Sequence, residues 1–328
     1  MSPDSRATPP TESSLPESRV VATAARVTAP TPGAGAARGR WLVFGAAVLW
    51  GMSATLARFM FRDRHIPPFT VVELRLSIAV LLLGPWLAWR RPAVLRIDWR
   101  DLPSMIVLGV VGVATIQGSY YYSISVLGVG LAILLQYLAP ALIVIWHMAR
   151  GEKVRWPTML SVVLAVAGTA LLVEGVDARA LHARWWQWSI GFGTAVVFAF
   201  YILYSKRLLR RYQPETVLVY SFAIAAAFWA VITPPWRIVA AGYDGQTWAL
   251  FIVIGITSVL APFAMFYAGL RTMESSRVAI VATLEPVVAV VSSAVVLQEG
   301  LRLVQWAGAV MVLVASIVAS TTERDETG

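Results

Sequence analysis

The residues able to do chemistry stand inside apolar sequence. Glu285, followed by Pro286, lies near the middle of the run 276–297, and no aspartate falls within any of the long apolar runs. An ionisable side chain at bilayer depth costs about 2.5–3.5 kcal/mol on insertion scales and marks a functional position by default. A carboxyl group there can carry a proton or hold an ammonium group. The competing reading is a protonated carboxyl that is hydrogen-bonded for structure alone. Pro140 stands in the run 129–149 much as Pro286 does in its own, but Ala139 occupies the place of Glu285. A helix-interior proline removes a hydrogen bond and kinks the helix, which membranes tolerate where the freed carbonyl is buried in protein or faces a cavity. Pro140 and Pro286 are therefore a candidate hinge pair, against the plainer reading of static packing kinks.

A second set of polar and aromatic side chains interrupts the other runs. Trp50 and Ser53 lie in the first, Gln117 and Tyr121 in the third, Gln136 and Tyr137 in the fourth, Tyr201 in the sixth and Tyr267 in the eighth. Amide and phenol groups on an apolar wall suit an amphipathic solute. Each taken singly is equally well explained by helix–helix hydrogen bonding, worth about 0.6 kcal/mol on average in a membrane. Glu73 and Arg75 lie in the second run. Helical residues two apart do not face each other, so Glu73 is expected to pair with Arg58, and Arg75 to snorkel or meet a carbonyl. A structural ion pair is the favoured reading of these three, with an outer gate second.

Other chemistries lack their residues. There is no cysteine, hence no disulfide framework, thiolate nucleophile or Cys-based metal site. His147 stands alone, so no metal and no cofactor are expected. No phosphate-binding GxxxxGK[ST] loop is present, nor an HExxH or a Gly-x-Ser-x-Gly elbow. A membrane-embedded lipid-modifying enzyme, the main alternative of another class, would need such a cluster at one depth, so the chain is not expected to be an enzyme. A sensor or scaffold would need larger extramembrane parts.

The elements that must position these residues follow from composition. The chain has 328 residues, 58% hydrophobic and 14% charged, where a soluble domain carries about 25% charged residues. It needs lipid as its solvent. A membrane-crossing helix takes about 20 mostly apolar residues. Ten runs qualify, at 41–61, 68–89, 102–124, 129–149, 157–176, 186–205, 216–236, 248–270, 276–297 and 303–320. Alternate connections hold 15 and 6 lysines and arginines. The positive-inside rule thus places both termini in the cytoplasm. It also accounts for the net charge of +9 without nucleic acid. The expected organisation is a disordered cytoplasmic tail over 1–40, a first unit over 41–176, an outer loop over 177–185, a second unit over 186–320 and a cytoplasmic tail over 321–328. Trp185, Trp186 and Trp188 read as an interfacial aromatic belt.

The two units repeat. Tyr121 precedes Pro140 by 19 residues, and Tyr267 precedes Pro286 by 19. Each proline is followed by an apolar stretch and an acidic turn, Gly151-Glu152-Lys153 in one copy and Gln298-Glu299-Gly300 in the other. Five spans per unit invert the second copy relative to the first, the arrangement in which transporters place a pathway at the repeat interface.

Several segments carry a family resemblance: LVFGAAVLWGMSATLARF (42–59), LRLSIAVLLL (74–83), LLQYLAPALIVIWHMARGEKVRW (134–156), VFAFYILYSKRL (197–208) and LEPVVAVVSSAVVLQEGLRLVQWAGAVMVLVAS (284–316). In order, spacing and duplication, residues 41–320 resemble the EamA-type exporters of the drug/metabolite transporter superfamily. The second acidic turn departs from that family's Gly-Glu-basic pattern. The resemblance implies a solute exporter of the bacterial inner membrane, with amino acids, related metabolites or drugs as cargo. Proton coupling through Glu285 and uniport are equally open readings, and no cofactor is expected.

Overall fold

The computed structural model describes residues 32–62, 64–127, 129–173, 183–297 and 302–321. Among these, every regular element is helical. Seven helical stretches are long and apolar enough to cross a membrane: Pro68–Arg90, Trp99–Ser123, Leu131–Ala149, Trp185–Leu209, Pro214–Ile232, Gly245–Thr272 and Ser275–Ser292. Trp156–Leu172 and Leu303–Ala319 are shorter apolar helices. Large apolar side chains lie exposed on the outside, among them Trp41, Trp89, Trp156, Trp185 and Trp236, as expected of a surface solvated by lipid and its interfaces. Residues 1–31 and 322–328 of the expected tails, most of the 177–185 loop and the Gln298-Glu299-Gly300 turn lie outside the described residues, whereas residues 32–40, expected within the disordered tail, form the first turns of a helix.

In chain order the helices are α1 (Pro32–Arg62), α2 (Pro68–Arg90), α3 (Leu102–Val107), α4 (Thr115–Leu127), α5 (Val129–Gln136), α6 (Ala139–Ala149), α7 (Trp156–Leu172) and α8 (Trp185–Leu209). They continue with α9 (Pro214–Ile232), α10 (Pro235–Ala240), α11 (Gly245–Gly255), α12 (Ala261–Thr272), α13 (Ser275–Ala282), α14 (Leu284–Leu297) and α15 (Leu303–Thr321).

Runs 129–149 and 276–297 were expected as continuous kinked helices, and the structure corrects that. The first breaks between α5 and α6 at Tyr137-Leu138, the second between α13 and α14 at Thr283. The physical cause is proline. Pro140 has no N–H for the carbonyl of Gln136, and Pro286 none for that of Ala282. Each proline thus falls in the first turn of a restarted helix, where a missing donor costs nothing, rather than in a helix interior.

Two further departures were not foreseen. Residues Leu108–Ala114, joining α3 to α4, and Ile256–Leu260, joining α11 to α12, are π-helical. Such bulges are rare and frequent at functional sites. Each presents a carbonyl to a tryptophan from elsewhere. Pro262 cannot donate to Ser258 O four residues back, and Trp50 Nε1 donates to it instead at 3.0 Å. Trp229 Nε1 donates to Ala114 O at 3.3 Å. Gly118 makes the room, since a Cβ there would stand 3.0 Å from the Trp229 ring.

Two helix pairs set the frame. Helices α7 and α15 cross at Gly168 and Gly308, where a Cβ on either would come within 2.7 Å or 2.6 Å of the other's carbonyl oxygen. Small residues permit such approach in membranes. Helices α2 and α9 pack antiparallel, with Phe69 at the start of α2 stacked on Trp229 near the end of α9 and Arg91 at the end of α2 meeting Glu215 at the start of α9 at 3.1 Å. Just before α2, Arg64 Nη1 meets Asp244 Oδ2, the N-cap of α11, at 3.3 Å and its Nη2 donates to Gln246 Oε1 at 3.0 Å. Just before α9, Arg211 meets Asp98 at 3.3 Å and Asp101 at 2.7 Å, ahead of α3. There Thr216 Oγ1 also donates to Val94 O at 2.6 Å. Asp98 and Asp244, 146 residues apart, each cap the helical turn that follows, accepting from Arg100 N at 3.0 Å and Thr247 N at 2.8 Å.

Candidate functional site

A half-open cavity of about 100 Å³ lies where the irregular segments converge. The π-helical segments supply Val113 and Ser258, and the helices that follow them supply Ile116, Gln117, Tyr120, Tyr121 and Phe263. Helix α1 contributes Trp50, α2 Arg75 and α5 Gln136. Helix α8 gives Phe198 and Tyr201, three apart on one face, and α14 gives Glu285. The rings pack as a wall: Trp50 stands 4.9 Å from Phe263, and Phe198 stacks on Tyr201 at 6.2 Å.

Glu285 sits in the first turn of α14, where the unpaired N–H groups and the helix dipole favour a negative charge. Tyr137, in the break between α5 and α6, donates to Glu285 Oε2 at 2.5 Å. One broken helix therefore holds the carboxylate of the other. Helix α1 presses against this point. A Cβ at Gly51 would stand 2.8 Å from Glu285 O and 2.6 Å from Val288 Cβ.

Arg75 is 9% exposed. It was expected to snorkel or meet a carbonyl beside a structural ion pair or outer gate with Arg58 and Glu73. Its guanidinium lines the cavity, donates through Nη2 to the amide oxygen Gln117 Oε1 and lies 5.3 Å from the centroid of the Tyr121 ring. Its helix explains this, because Glu73 points elsewhere and accepts from Ser77 Oγ at 2.7 Å. The side chain of Arg58 lies outside the described residues. Arg75 Nε and Gln136 Oε1 are buried without a partner among the described residues.

The structure thus brings Trp50, Gln117, Tyr121, Gln136, Tyr201 and Glu285 of the expected set onto one cavity. Three stand behind its wall. Ser53 donates to Leu49 O at 2.7 Å and lies 3.2 Å from Thr257 Oγ1, Tyr137 holds Glu285, and Tyr267 packs fully buried 5.9 Å from Tyr201. Of the hinge candidates, Pro140 is the second residue of the helix after Tyr137, and Pro286 follows Glu285 directly. Sequence reasoning missed Phe198, Phe263, Tyr120 and Ser258. Proximity of Phe263 to Pro262, and the i, i+3 spacing of Phe198 and Tyr201, were the available signals. His147 is engaged with Glu152 at 2.5 Å, and no cluster of metal-ligating side chains occurs among the described residues.

The model of the EamA-like transporter family matches twice, over residues 37–174 and 185–321. Among curated proteins, the chain is 24% identical to an uncharacterized inner membrane transporter, YicL of Salmonella typhimurium, covering 85% of this chain and 94% of that one. It is 25% identical to an uncharacterized transporter of Archaeoglobus fulgidus over 84% and 96%. It is 26% identical to the threonine/homoserine exporter RhtA of Escherichia coli over 83% and 88%. A solved crystal structure superposes with a TM-score of 0.70 at 20% identity, covering 87% of this chain and 98% of that one, which shows a shared fold.

Proposed function

The chain belongs to the EamA-like transporter family, and on that premise we propose that it is a secondary transporter exporting small amphipathic metabolites, amino acids foremost. In this reading ten spans form a five-plus-five inverted repeat in a bacterial inner membrane, both termini are cytoplasmic, and the solute crosses through the cavity between the copies. The observation that carries it is the meeting of two broken helices at that cavity, with Glu285 of one held by Tyr137 of the other. Irregular backbone at membrane depth is tolerated where it is buried in protein or lines a cavity, and transporters build substrate sites from discontinuous helices. The twofold match of the family model supports the repeat. The resemblance to RhtA supports amino acids as cargo.

Glu285 has two roles open to it at this place, binding a coupling proton or binding a cationic group of the solute. The test is flux in proteoliposomes against threonine, homoserine and other amino acids, with an imposed pH gradient as the variable. Transport of a class of amino acids supports the reading. Loss of gradient dependence in Glu285→Gln assigns the proton to that residue, and flux unchanged across pH in the wild type refutes proton coupling. No flux of any amino acid by folded, inserted protein shifts the cargo to drugs or other metabolites, which the same fold accommodates.

A further inference from the structure

We propose that the cavity is charge-polarised to read zwitterions, with Arg75 as the carboxylate-binding end and Glu285 as the ammonium-binding end. The inference deepens the transporter reading above and rests on it.

The argument starts from an unsatisfied cation. Arg75 is buried on α2, and its recorded partners are one amide oxygen and one aromatic face. No carboxylate oxygen of the described residues lies within 4.0 Å of it, Glu73 and Glu285 included. Its Nε carries no partner among the described residues. A buried guanidinium without a counter-charge is costly, and its planar fork matches a carboxylate with two parallel hydrogen bonds. Gln117 holds Nη2 and the Tyr121 ring lies against the guanidinium, so the group is held at the cavity wall with Nη1 left as its free donor.

Glu285 lines the same space. Its Oε2 is taken by the Tyr137 hydroxyl, so the remaining oxygen is the acceptor left for a ligand. An ammonium group has three donors and suits that acceptor. Arg75 and Glu285 line the same cavity without forming an ion pair with each other. A solute bearing both a carboxylate and an ammonium group would neutralise each end. One bearing a single charge would leave the opposite buried group uncompensated, a penalty that makes such sites selective.

The test uses the full chain purified in detergent, with binding measured by titration of three probes: L-threonine, N-acetyl-L-threonine and L-threonine amide. In the wild type, the acetylated and amidated probes are expected to bind at least about tenfold more weakly than threonine. Arg75→Gln should weaken the acetylated probe and spare the amide, and Glu285→Gln should do the reverse. Arg75→Lys keeps the charge without the fork and should fall between. The wild-type comparison needs no variant to fold. Equal binding of all three probes, equal losses for both single-charge probes in Arg75→Gln, or no binding of threonine to folded wild type would each overturn the assignment. Threonine flux that survives Arg75→Gln unchanged overturns it and leaves the transporter reading intact. Charge-ordered binding with no flux of any amino acid does the opposite.

Discussion

Gly168→Ala offers a direct reading of how tightly α7 and α15 are coupled. A methyl group there would meet Gly308 O at 2.7 Å, Met311 Cβ at 2.9 Å and Val312 Cγ2 at 2.9 Å. Ordinary contact begins at about 3.4 Å, so the shortfall is about 0.5–0.7 Å on three sides. One obstacle is backbone and another a Cβ, neither of which can rotate away, so the helices themselves must separate. A gap of 0.5–1 Å forfeits about a quarter to a half of each dispersion contact along the seam, and overpacking of this kind typically costs about 1–3 kcal/mol. Gly308→Ala should cost a similar amount, because its Cβ would meet Gly168 O at 2.6 Å and Leu172 N at 2.8 Å. The double variant is the sharper test. One separation of the helices relieves both clashes, so the combined loss should fall short of the sum by about 0.5 kcal/mol or more. Reversible unfolding in mixed micelles measures all three values. A neutral Gly168→Ala, or a double variant that is strictly additive, would refute the close-approach argument.

Trp50→Phe should cost about 0.5–1.5 kcal/mol by leaving Ser258 O unpaired. The loss should shrink in a Pro262→Ala background, where an N–H is restored, and the same unfolding assay reads this cycle. Gly51→Ala should depress flux more than stability, because the new methyl group bears on Glu285 O and Val288 at the start of α14; parallel transport and melting curves separate the two. The hydrogen bonds from Thr247, with Arg64 beside it, hold the Asp244 carboxyl below the usual carboxylate range. A lowered folded-state value contributes stability above the unfolded value near 4 and loses it as pH falls through the folded one. Asp244→Asn should therefore flatten the change in melting temperature between pH 5 and about pH 3, and an unchanged slope would show that the interaction is too screened to matter.

The helical class and most of the segments were legible because apolar length is a strong signal and Pro140 and Pro286 are strong punctuation. The aromatic and amide residues were legible too, since Trp50, Gln117, Gln136 and Tyr201 are polar interruptions in apolar runs. Arg75 was not, because its neighbours in sequence, Glu73 and Leu76, say nothing of Gln117 and Tyr121, which another helix brings to it. The π-helical segments were equally hidden. Their cause is partly tertiary, residing in tryptophans Trp50 and Trp229 that lie 208 and 115 residues away from the carbonyls they satisfy.

The ties made by Arg64 before α2 and Arg211 before α9 join like residues, an arginine to a helix-capping aspartate, with the aspartates 146 residues apart. Exposed pairs of this kind hold weakly and part readily. The inverted-repeat transporter proposed above would open first on one side and then on the other, like a revolving door whose two catches need comparable strength. A catch much firmer on one side would park the door there and stall turnover. An inverted duplication would supply that balance at once, since both catches would then descend from a single original.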